Sequence, residues 1–151
     1  MFAVTELRPE DVARVDSVLP LNRLDQHRET GSTYLIAWKD DEPVGHAHLA
    51  WAGTHLGLPE VQDVYVLPAF RRRGVAHSLN AAAEELVRGR GLSSISLSVS
   101  RDGNDPARRL YESLGYVDAG IKPRPVRGTI MLRGRPFDVD DMLVYLVKEL
   151  D

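Results

Sequence analysis

The segment VYVLPAFRRRGVA, residues 64–76, joins an apolar, β-branched stretch to three arginines and a glycine. From Gly74 onward the apolar residues change to helical spacing, and this pattern ends at Gly89 and Gly91. The segment therefore predicts a strand, a tight turn and the first turn of a helix. Backbone N–H groups in a first helical turn lack partners within the helix, and the helix dipole adds positive charge there. With the arginines beside it, this helix mouth is predicted to bind phosphate.

Small residues at the turn favour close approach of an anion to the backbone. Gly74 has no side chain and Ala76 has only a methyl group, so a phosphate can reach the N–H groups around them. No Gly-Lys-Ser/Thr follows, as a Walker A loop would require, and the GxGxxG spacing of dinucleotide sites is missing. The turn therefore predicts a phosphate site outside those two classes.

The composition restricts the possible partners. The 151 residues include 19 Lys and Arg against 22 Asp and Glu, a net charge of −3 that argues against a dedicated nucleic-acid binder. The chain has no cysteine, which excludes a disulfide framework, a thiolate nucleophile and a cysteine zinc site. We find no basic-then-apolar leader and no apolar run approaching the ~20 residues of a membrane span. We therefore expect no nucleic-acid partner, no membrane partner and a cytoplasmic location.

Hydrophobic patterns on either side of the segment predict alternating strands and helices. Strands are predicted over 2–8, 33–39, 44–52, 60–67, 94–100, 116–121 and 141–150. Helices are predicted over 9–19, 21–31, 74–90 and 106–114. A proline-rich connection over 122–128 leads to a small hairpin over 129–137 around Gly134. This order predicts an α/β (α+β) fold with a mixed sheet flanked by helices in one domain, 1–151. The strands at 60–67 and 94–100 are predicted to form a right-handed parallel crossover.

Two motifs in this order resemble those of the GNAT N-acetyltransferases. Arg71-x-x-Gly74-x-Ala76 resembles the Arg/Gln-x-x-Gly-x-Gly/Ala motif of that family. NDPARRLYESLGY, residues 104–116, resembles its second signature, through Asn104, Ala107, Leu110, Tyr111, Gly115 and Tyr116. The resemblance implies the GNAT acyl-CoA N-acyltransferase fold, with its sheet splayed between the strands at 60–67 and 94–100. It also implies acetyl-CoA or coenzyme A as cosubstrate, an amine-bearing acceptor and no metal.

The resemblance further implies which residues bind the cofactor. The pyrophosphate would lie at the helix mouth, and the pantetheine arm would lie in the gap beside the strand at 60–67. The Val66 N–H would then polarise the thioester carbonyl, and Asn104 would bind the arm or an ordered water. The implied contacts are Val64, Tyr65, Val66, Arg71, Arg72, Arg73, Gly74, Val75, Ala76, His77, Asn104, Ala107 and Tyr111.

Attack on a thioester needs a neutral amine and a proton for the leaving thiolate. The resemblance implies that Tyr111, protonated at neutral pH and on the inner face of its helix, is the acid. Glu60 and Asp63 are the expected bases. Strand alternation predicts that Glu60 shares a face with Val64 and Val66, whereas Asp63 lies on the opposite face. Glu60 ranks first because it lies nearer the open end of the strand.

Two histidines, His46 and His48, share a face of the predicted strand at 44–52. Such a pair can begin a metal site, but the sequence offers no third ligand, so no metal is expected. The two side chains can instead line an acceptor pocket beside the central strand.

The residues leave three alternatives open. A non-catalytic acyl-CoA-binding sensor module is the alternative to an acetyltransferase, although a pure binder has no need of Tyr111 near the sulfur. The acceptor amine can belong to a small molecule, a peptide N-terminus or a lysine side chain. The stretch RGTIMLRGRPFDVDD, residues 127–141, can shape the acceptor pocket, extend the sheet or meet a second subunit in a homodimer.

Overall fold

The computed structural model describes residues 2–102 and 105–151. Its strands are β1 Ala3–Glu6, β2 Thr33–Lys39, β3 Glu42–Ala50, β4 Glu60–Val66, β5 Ser94–Ser100, β6 Val117–Asp118, β7 Arg124–Leu132 and β8 Arg135–Glu149. Its helices are α1 Val12–Asp16, α2 Leu24–Thr30, α3 Val75–Gly89 and α4 Asp105–Ser113. The strands form one mixed sheet in the order β1-β2-β3-β4-β5-β8-β6, and β7 pairs with β8. The predicted mixed sheet with flanking helices is therefore confirmed.

Two of the predicted elements are shorter than expected. The N-terminal helix is divided into a 3-10 turn, Pro9–Asp11, and the short helix α1. The strand predicted over 116–121 is limited to β6, because Asp118 Oδ1 accepts a 2.7 Å hydrogen bond from the Gly120 N–H and turns the chain there. Within 2–102 and 105–151, no helix combines the length and the apolar character that crossing a membrane requires.

The C-terminal hairpin is longer than predicted. The proline-rich connection expected over 122–128 is wrong, because Arg124 to Leu132 form the continuous strand β7. Pro125 pairs with Met142 there, and the missing proline N–H is tolerated because β7 has a partner on one side only. β8 begins at Arg135, so the small hairpin and the closing strand are one element. The sheet is thereby extended by a long two-stranded arm.

The tip of this arm contacts the opposite end of the chain. Arg133, in the left-handed region at φ 57°, places its guanidinium on both carboxylate oxygens of Asp16 in α1, with Nη2 2.6 Å from Oδ2. Two parallel hydrogen bonds between a guanidinium and a carboxylate fix the relative orientation of the two side chains in addition to pairing their charges. The arm is therefore held across the face of the sheet that carries α1.

Two apolar clusters cover the two faces of the sheet. On the first face, α3 buries Leu79, Ala83 and Val87 against strand residues that include Leu97 and Leu146. On the second face, α1 and α2 cover a smaller cluster formed by Leu7, Val15, Leu19, Leu21, Leu24, Tyr34 and Ile36. The first face holds the larger part of the buried apolar surface, which is the main source of folding free energy.

Close contact between α3 and β3 requires a glycine. A Cβ at Gly45 would lie 2.9 Å from Val75 Cγ1 and 3.0 Å from the Tyr65 carbonyl oxygen. The first distance is shorter than real Cβ contacts and the second is tighter than most, so Gly45 allows the first turn of α3 to pack directly on the sheet. The position of the helix mouth is thereby set by the strand beneath it.

The parallel pair β4 and β5 separates after two residues. Glu60 pairs with Ser96 and Val61 with Leu97, and the two strands share no further ladder pair. The parallel pairing predicted on either side of α3 is confirmed, and so is the splay between the two strands. A gap therefore opens in the middle of the sheet, beyond Val61.

A β-bulge in β4 accompanies this separation. His48 of β3 pairs with Gln62, but His46 pairs with Tyr65, so three residues of β4 span two residues of β3. Asp63, inside this interval, has φ 49°. An inserted residue of this kind bends its strand and changes which face the following side chains occupy.

The bulge overturns the predicted faces of β4. Val64 and Val66 pack against the apolar cluster under α3, whereas Tyr65 packs on the opposite cluster. Glu60 is linked through Gln62 to the second face and does not share a face with Val64 and Val66. Strict alternation failed because it does not count the residue added at Asp63.

Candidate active site

The gap between β4 and β5 leads into a cavity of about 640 Å³. Its walls come from both sides of the sheet, since β4 and β5 contribute residues together with α4, β7 and β8. The site residues predicted from the sequence that line it are Glu60, Asp63, Val64, Ala76, Ala107 and Tyr111. The splayed sheet therefore forms a channel from one face to the other, with these residues around it.

A second depression, of about 290 Å³, lies at the mouth of α3. Among the residues expected to contact the cofactor, it is lined by Val66, Arg71, Arg72, Gly74, Val75, Ala76 and His77. Ala76 and Leu110 line both this depression and the cavity, so the two spaces are contiguous. A long ligand can therefore enter at the helix mouth and continue into the gap.

The backbone at the helix mouth is arranged to bind an anion. The Ser78 N–H donates to the Gly74 carbonyl at 3.0 Å, so the N–H groups of Val75, Ala76 and His77 precede the first helical bond. Gly74 has φ 87°, and nothing lies within 4 Å of where a Cβ would be. Open space, unsatisfied donors and the positive helix end together fit a phosphate group of a coenzyme.

The three arginines differ in their surroundings. The Arg71 Nε donates to the Val66 carbonyl at 2.9 Å, which fixes this side chain at the end of β4. Arg72 lines the depression, and its φ of 63° turns the chain toward α3. Arg73 does not line the depression, and its guanidinium lies 5.5 Å from the Phe70 ring centroid. Two of the three positive charges therefore lie at the helix mouth.

Backbone groups of β4 face the gap after the bulge. The Leu67 N–H donates to Val44 of β3 at 2.9 Å, so alternation directs the Val66 N–H away from β3 and toward β5. Tyr65 is directed the other way: its side chain stacks on His46 with ring centroids 5.9 Å apart, and it lines neither space. Of the implied contacts on β4, Val64 and Val66 are thus presented to a ligand.

Tyr111 lies in the wall of the cavity. It is 8% exposed, and its ring packs edge-on against Tyr116 at a centroid distance of 5.8 Å. Burial raises the pKa of Tyr111 to about 12, because the phenolate would lose its hydration. The hydroxyl therefore keeps its proton at neutral pH and can act as a hydrogen-bond donor to a group in the cavity.

Glu60 is a buried carboxylate at the same cavity. It is 6% exposed, its Oε2 accepts a 2.7 Å hydrogen bond from Gln62, and its buried Oε1 has no partner among the described residues. A buried charged oxygen without a partner carries a desolvation cost of several kcal/mol, on the order given by ion transfer. A cationic group bound beside Glu60 would offset this cost.

The carboxylate of Asp63 accepts hydrogen bonds that stabilise the bulge. Its Oδ2 accepts hydrogen bonds from the Tyr34 hydroxyl at 2.7 Å and from the Asn22 N–H at 3.1 Å, and Oδ1 lies 3.4 Å from Asn22 Nδ2. The Tyr34 hydroxyl in turn accepts from the Arg23 N–H at 2.7 Å. Burial and this carboxylate raise the pKa of Tyr34, so that its proton stays on oxygen. Asp63 therefore has little capacity left for a substrate.

The two histidines support the strands and line neither space. His48 Nε2 lies 2.6 Å from Ser32 Oγ and its Nδ1 lies 3.1 Å from Gln62 Oε1, while His46 Nε2 lies 3.0 Å from the Pro20 carbonyl. Burial lowers the pKa of both, in His48 to about 4. No group of three possible metal ligands occurs within the described residues. The expectation that they line an acceptor pocket is therefore wrong, because both rings are fully buried among these partners.

One implied contact lies outside the described residues, and several lining residues were not predicted. Asn104 falls between the two described ranges. The unpredicted residues of the cavity include Arg23, Gln62, Leu110, Arg124, Ile130 and Tyr145. Leu110 belonged to the second motif and Gln62 to the strand predicted over 60–67, whereas the others come from segments interpreted as polar helix, connection, small hairpin or closing strand. Only the pairing of β7 with β8 brings Arg124 and Ile130 to the cavity.

Buried neutral His48 makes stability depend on pH. Its folded pKa lies below the ordinary 6.5, so as the pH falls from 6.5 toward 4 the unfolded chain takes up a proton first and stability is lost. The difference of 6.5 − 4 corresponds to about 3 kcal/mol. We expect His48→Gln, which keeps hydrogen-bonding groups for Ser32 and Gln62, to flatten urea-unfolding free energies over this pH range. Exposed His77→Gln is the control; equal pH slopes in wild type and His48→Gln would contradict the assignment.

Comparison with known proteins agrees with this geometry. A sequence model described as the acetyltransferase (GNAT) family matches residues 3–116. The thialysine N-epsilon-acetyltransferase of Caenorhabditis elegans is 34% identical over 88 residues, which cover 55% of this chain and 52% of that protein. The chain therefore spans about half the length of this relative.

Solved structures of low sequence identity share the fold. The acetyltransferase of Bacillus subtilis in complex with CoA matches with a TM-score of 0.74 at 16% identity over 100% of both chains. The ribosomal-protein-S18-alanine N-acetyltransferase of Escherichia coli matches with a TM-score of 0.71 at 14% identity, over 100% of this chain and 95% of that one. Since the family match extends over most of its length, the chain belongs to the acetyltransferase (GNAT) family.

Proposed function

We propose that this chain, as one domain over residues 1–151, transfers an acetyl group from acetyl-CoA to a primary amine by direct attack. The observation that carries this proposal is the continuous space from the mouth of α3 to Glu60 and Tyr111. A phosphate-bearing thioester that fills this space would bring its acyl end between a carboxylate and a protonated phenol. Family membership supports the same reaction.

The donor would be held mainly by backbone groups. Its pyrophosphate would accept hydrogen bonds from the N–H groups of Val75, Ala76 and His77, with Arg72 adding positive charge. The pantetheine arm would lie in the gap along Val64 and Val66. The gap is available because β4 and β5 share no ladder pair beyond Val61.

The acceptor must lose a proton before it attacks, because an alkyl ammonium has a pKa of about 10.4 and is charged at neutral pH. Glu60 is the residue we propose to hold the ammonium and accept that proton, since its Oε1 has no other partner. Asp63 ranks second because Tyr34 and Asn22 occupy its oxygens. The neutral nitrogen then attacks the thioester carbonyl carbon, and the Val66 N–H stabilises the developing oxyanion.

The attack forms the C–N bond, and collapse of the tetrahedral intermediate then re-forms the carbonyl and breaks the C–S bond. The departing thiolate needs a proton, which Tyr111 would donate. The nitrogen must lose a second proton to become an amide nitrogen, and this proton would pass to the Tyr111 oxygen and restore its hydroxyl as the first proton moves to sulfur. The alternative of a non-catalytic sensor would need the donor site alone, without a buried carboxylate and an acid on opposite walls. Binding without thiol release in the presence of amines would favour that alternative.

Gly74→Glu tests the donor site. A carboxylate at the helix mouth would occupy the open space and repel phosphate, so we expect acetyl-CoA affinity measured by calorimetry to fall at least about a hundredfold. Gly91→Glu is the matched control, because Gly91 follows the other end of α3 with φ 74° and equal open space. Equal affinities in the two variants would refute the position of the site.

Tyr111→Phe tests the acid. Removing the hydroxyl should lower kcat by roughly a hundredfold or more while the dissociation constant of acetyl-CoA changes little. Thiol release gives kcat and calorimetry gives the binding constant. Tyr116→Phe is the control, because that buried hydroxyl bonds Asn80 and Glu84 and does not line the cavity. An unaltered kcat for Tyr111→Phe with every amine tested would exclude this role.

The acceptor and the assembly are further parts of the proposal. The cavity is compatible with a small amine, and the name of the thialysine N-epsilon-acetyltransferase indicates an amino-acid amine for that relative. We infer a homodimer joined through the β7–β8 arm, supported by the exposed apolar side chains of Met131 and Phe137. The cytoplasmic location expected from the sequence stays a prediction.

Substitution on the arm tests the homodimer. Met131→Asp combined with Phe137→Asp should convert a dimer to a monomer in sedimentation experiments, because both side chains would be desolvated at the interface. Leu92→Asp is the control, since Leu92 is 43% exposed but lies beyond α3, away from the arm. A monomeric wild type, or a double variant that still dimerises, would contradict the inference.

A further inference from the structure

The cavity carries positive as well as negative side chains. Arg23 and Arg124 line it together with Glu60, and none of the described carboxylates lies within 4.0 Å of either guanidinium. An amine acceptor alone gives no reason for two arginines, since like charges would repel an ammonium. Their presence therefore indicates a second, anionic group on the acceptor.

Arg124 is held toward the cavity by a buried partner. Its Nη1 donates to the Tyr145 hydroxyl at 3.2 Å, and Tyr145 is 3% exposed. The same tyrosine lines the cavity, with its ring 4.7 Å from that of His55. The pair presents a guanidinium and a hydroxyl proton side by side, and both are donors that suit a carboxylate.

The sheet separates these donors from Glu60. Glu60 pairs with Ser96 of β5, whereas Arg124 pairs with Leu143 of β8, which pairs with Ser100 of β5. From β4 to β7 there are three interstrand spacings, and from Ser96 to Ser100 there are four residues along β5. Together these steps place the Cα atoms of Glu60 and Arg124 roughly 20 Å apart. Two long side chains reaching inward leave a separation that an extended acceptor of several methylene groups would span.

We propose that the acceptor is a primary amine that carries a carboxylate several methylene groups away, with the carboxylate bound by Arg124 and the Tyr145 hydroxyl. This inference rests on the proposed acetyl transfer and specifies its substrate class. The ammonium would bind at Glu60, and the carboxylate at the other end of the acceptor would pair with the Arg124 guanidinium. An α-amino acid acetylated on its α-amine is too short for this arrangement.

Three acceptors of equal chain length test the proposal. Thiol release is measured with 6-aminohexanoate, with 6-aminohexanamide, which is its neutral counterpart, and with hexylamine. We expect kcat/KM for the carboxylate to exceed that for the amide at least about tenfold, mainly through KM, because an arginine–carboxylate pair adds binding energy that the amide lacks. Equal values for carboxylate and amide would overturn the inference.

Variants identify the residues responsible. Arg124→Gln should reduce the ratio of kcat/KM for the carboxylate to that for the amide toward one, Arg124→Lys should restore part of it, and Tyr145→Phe gives a second test by removing the neighbouring hydroxyl donor. Arg127→Gln is the control: Arg127 lies on the same strand, pairs with Asp140 and does not line the cavity. A preference for the carboxylate that survives both Arg124→Gln and Tyr145→Phe would refute the assignment.

The outcomes separate this inference from the proposed function. Acetylation of hexylamine and the amide without preference for the carboxylate would keep the acetyltransferase proposal and refute the acceptor class. If acetyl-CoA binds but none of the three amines causes thiol release, both the acceptor class and the proposed acetyl transfer to such amines are refuted. A peptide containing lysine and a nearby glutamate, compared with its glutamine version, distinguishes a protein acceptor from a small molecule.

Discussion

One extra residue in β4 is held in the left-handed region by groups from two other elements, the Tyr34 hydroxyl and the Asn22 N–H. A non-glycine residue in this conformation costs about 1–3 kcal/mol. Hydrogen bonds to the charged Asp63 carboxylate contribute about 1.5–3 kcal/mol each and offset that cost. The inserted residue accompanies the divergence of β4 from β5 and presents Val64 and Val66 to the face that carries α3. The cavity, and everything placed around it, depends on this local distortion.

The two ends of the channel have opposite electrostatic character. At the mouth of α3, arginines and unsatisfied N–H groups concentrate positive charge near the surface, where a solvated anion can be captured. Glu60, by contrast, is buried beside an amide and a neutral His48, where a charge is expensive unless it is paired. Binding of the anion at the surface is thereby assigned to α3, and the chemistry in the interior to β4. Gly45 fixes the position of α3 relative to the sheet by allowing their close contact.

Local patterns predicted the parts of the site that lie within one continuous segment. The strand, turn and helix at 64–76 were evident because glycine, arginines and a change of period occur together. The side chains' faces in β4 were not evident, since no glycine or proline marks the bulge at Asp63 and apolar residues flank it as in an ordinary strand. Arg124 escaped prediction for another reason: Pro125 beside it suggested a connection, and only pairing at a sheet edge makes that proline compatible with a strand.

The arm formed by β7 and β8 has a consequence for how this protein tolerates change. Its outer side chains are exposed on both surfaces, and it is joined to the rest of the chain through the inner half of β8 and through Arg133 and Asp16. Substitutions at exposed positions of this kind usually alter stability by less than about 0.5 kcal/mol. Yet Arg124 and Ile130 on the arm border the cavity. Substitutions can therefore change the side chains on this side of the cavity with little loss of folding free energy. The buried residues beneath α3 tolerate fewer changes, because each must fit the packed core.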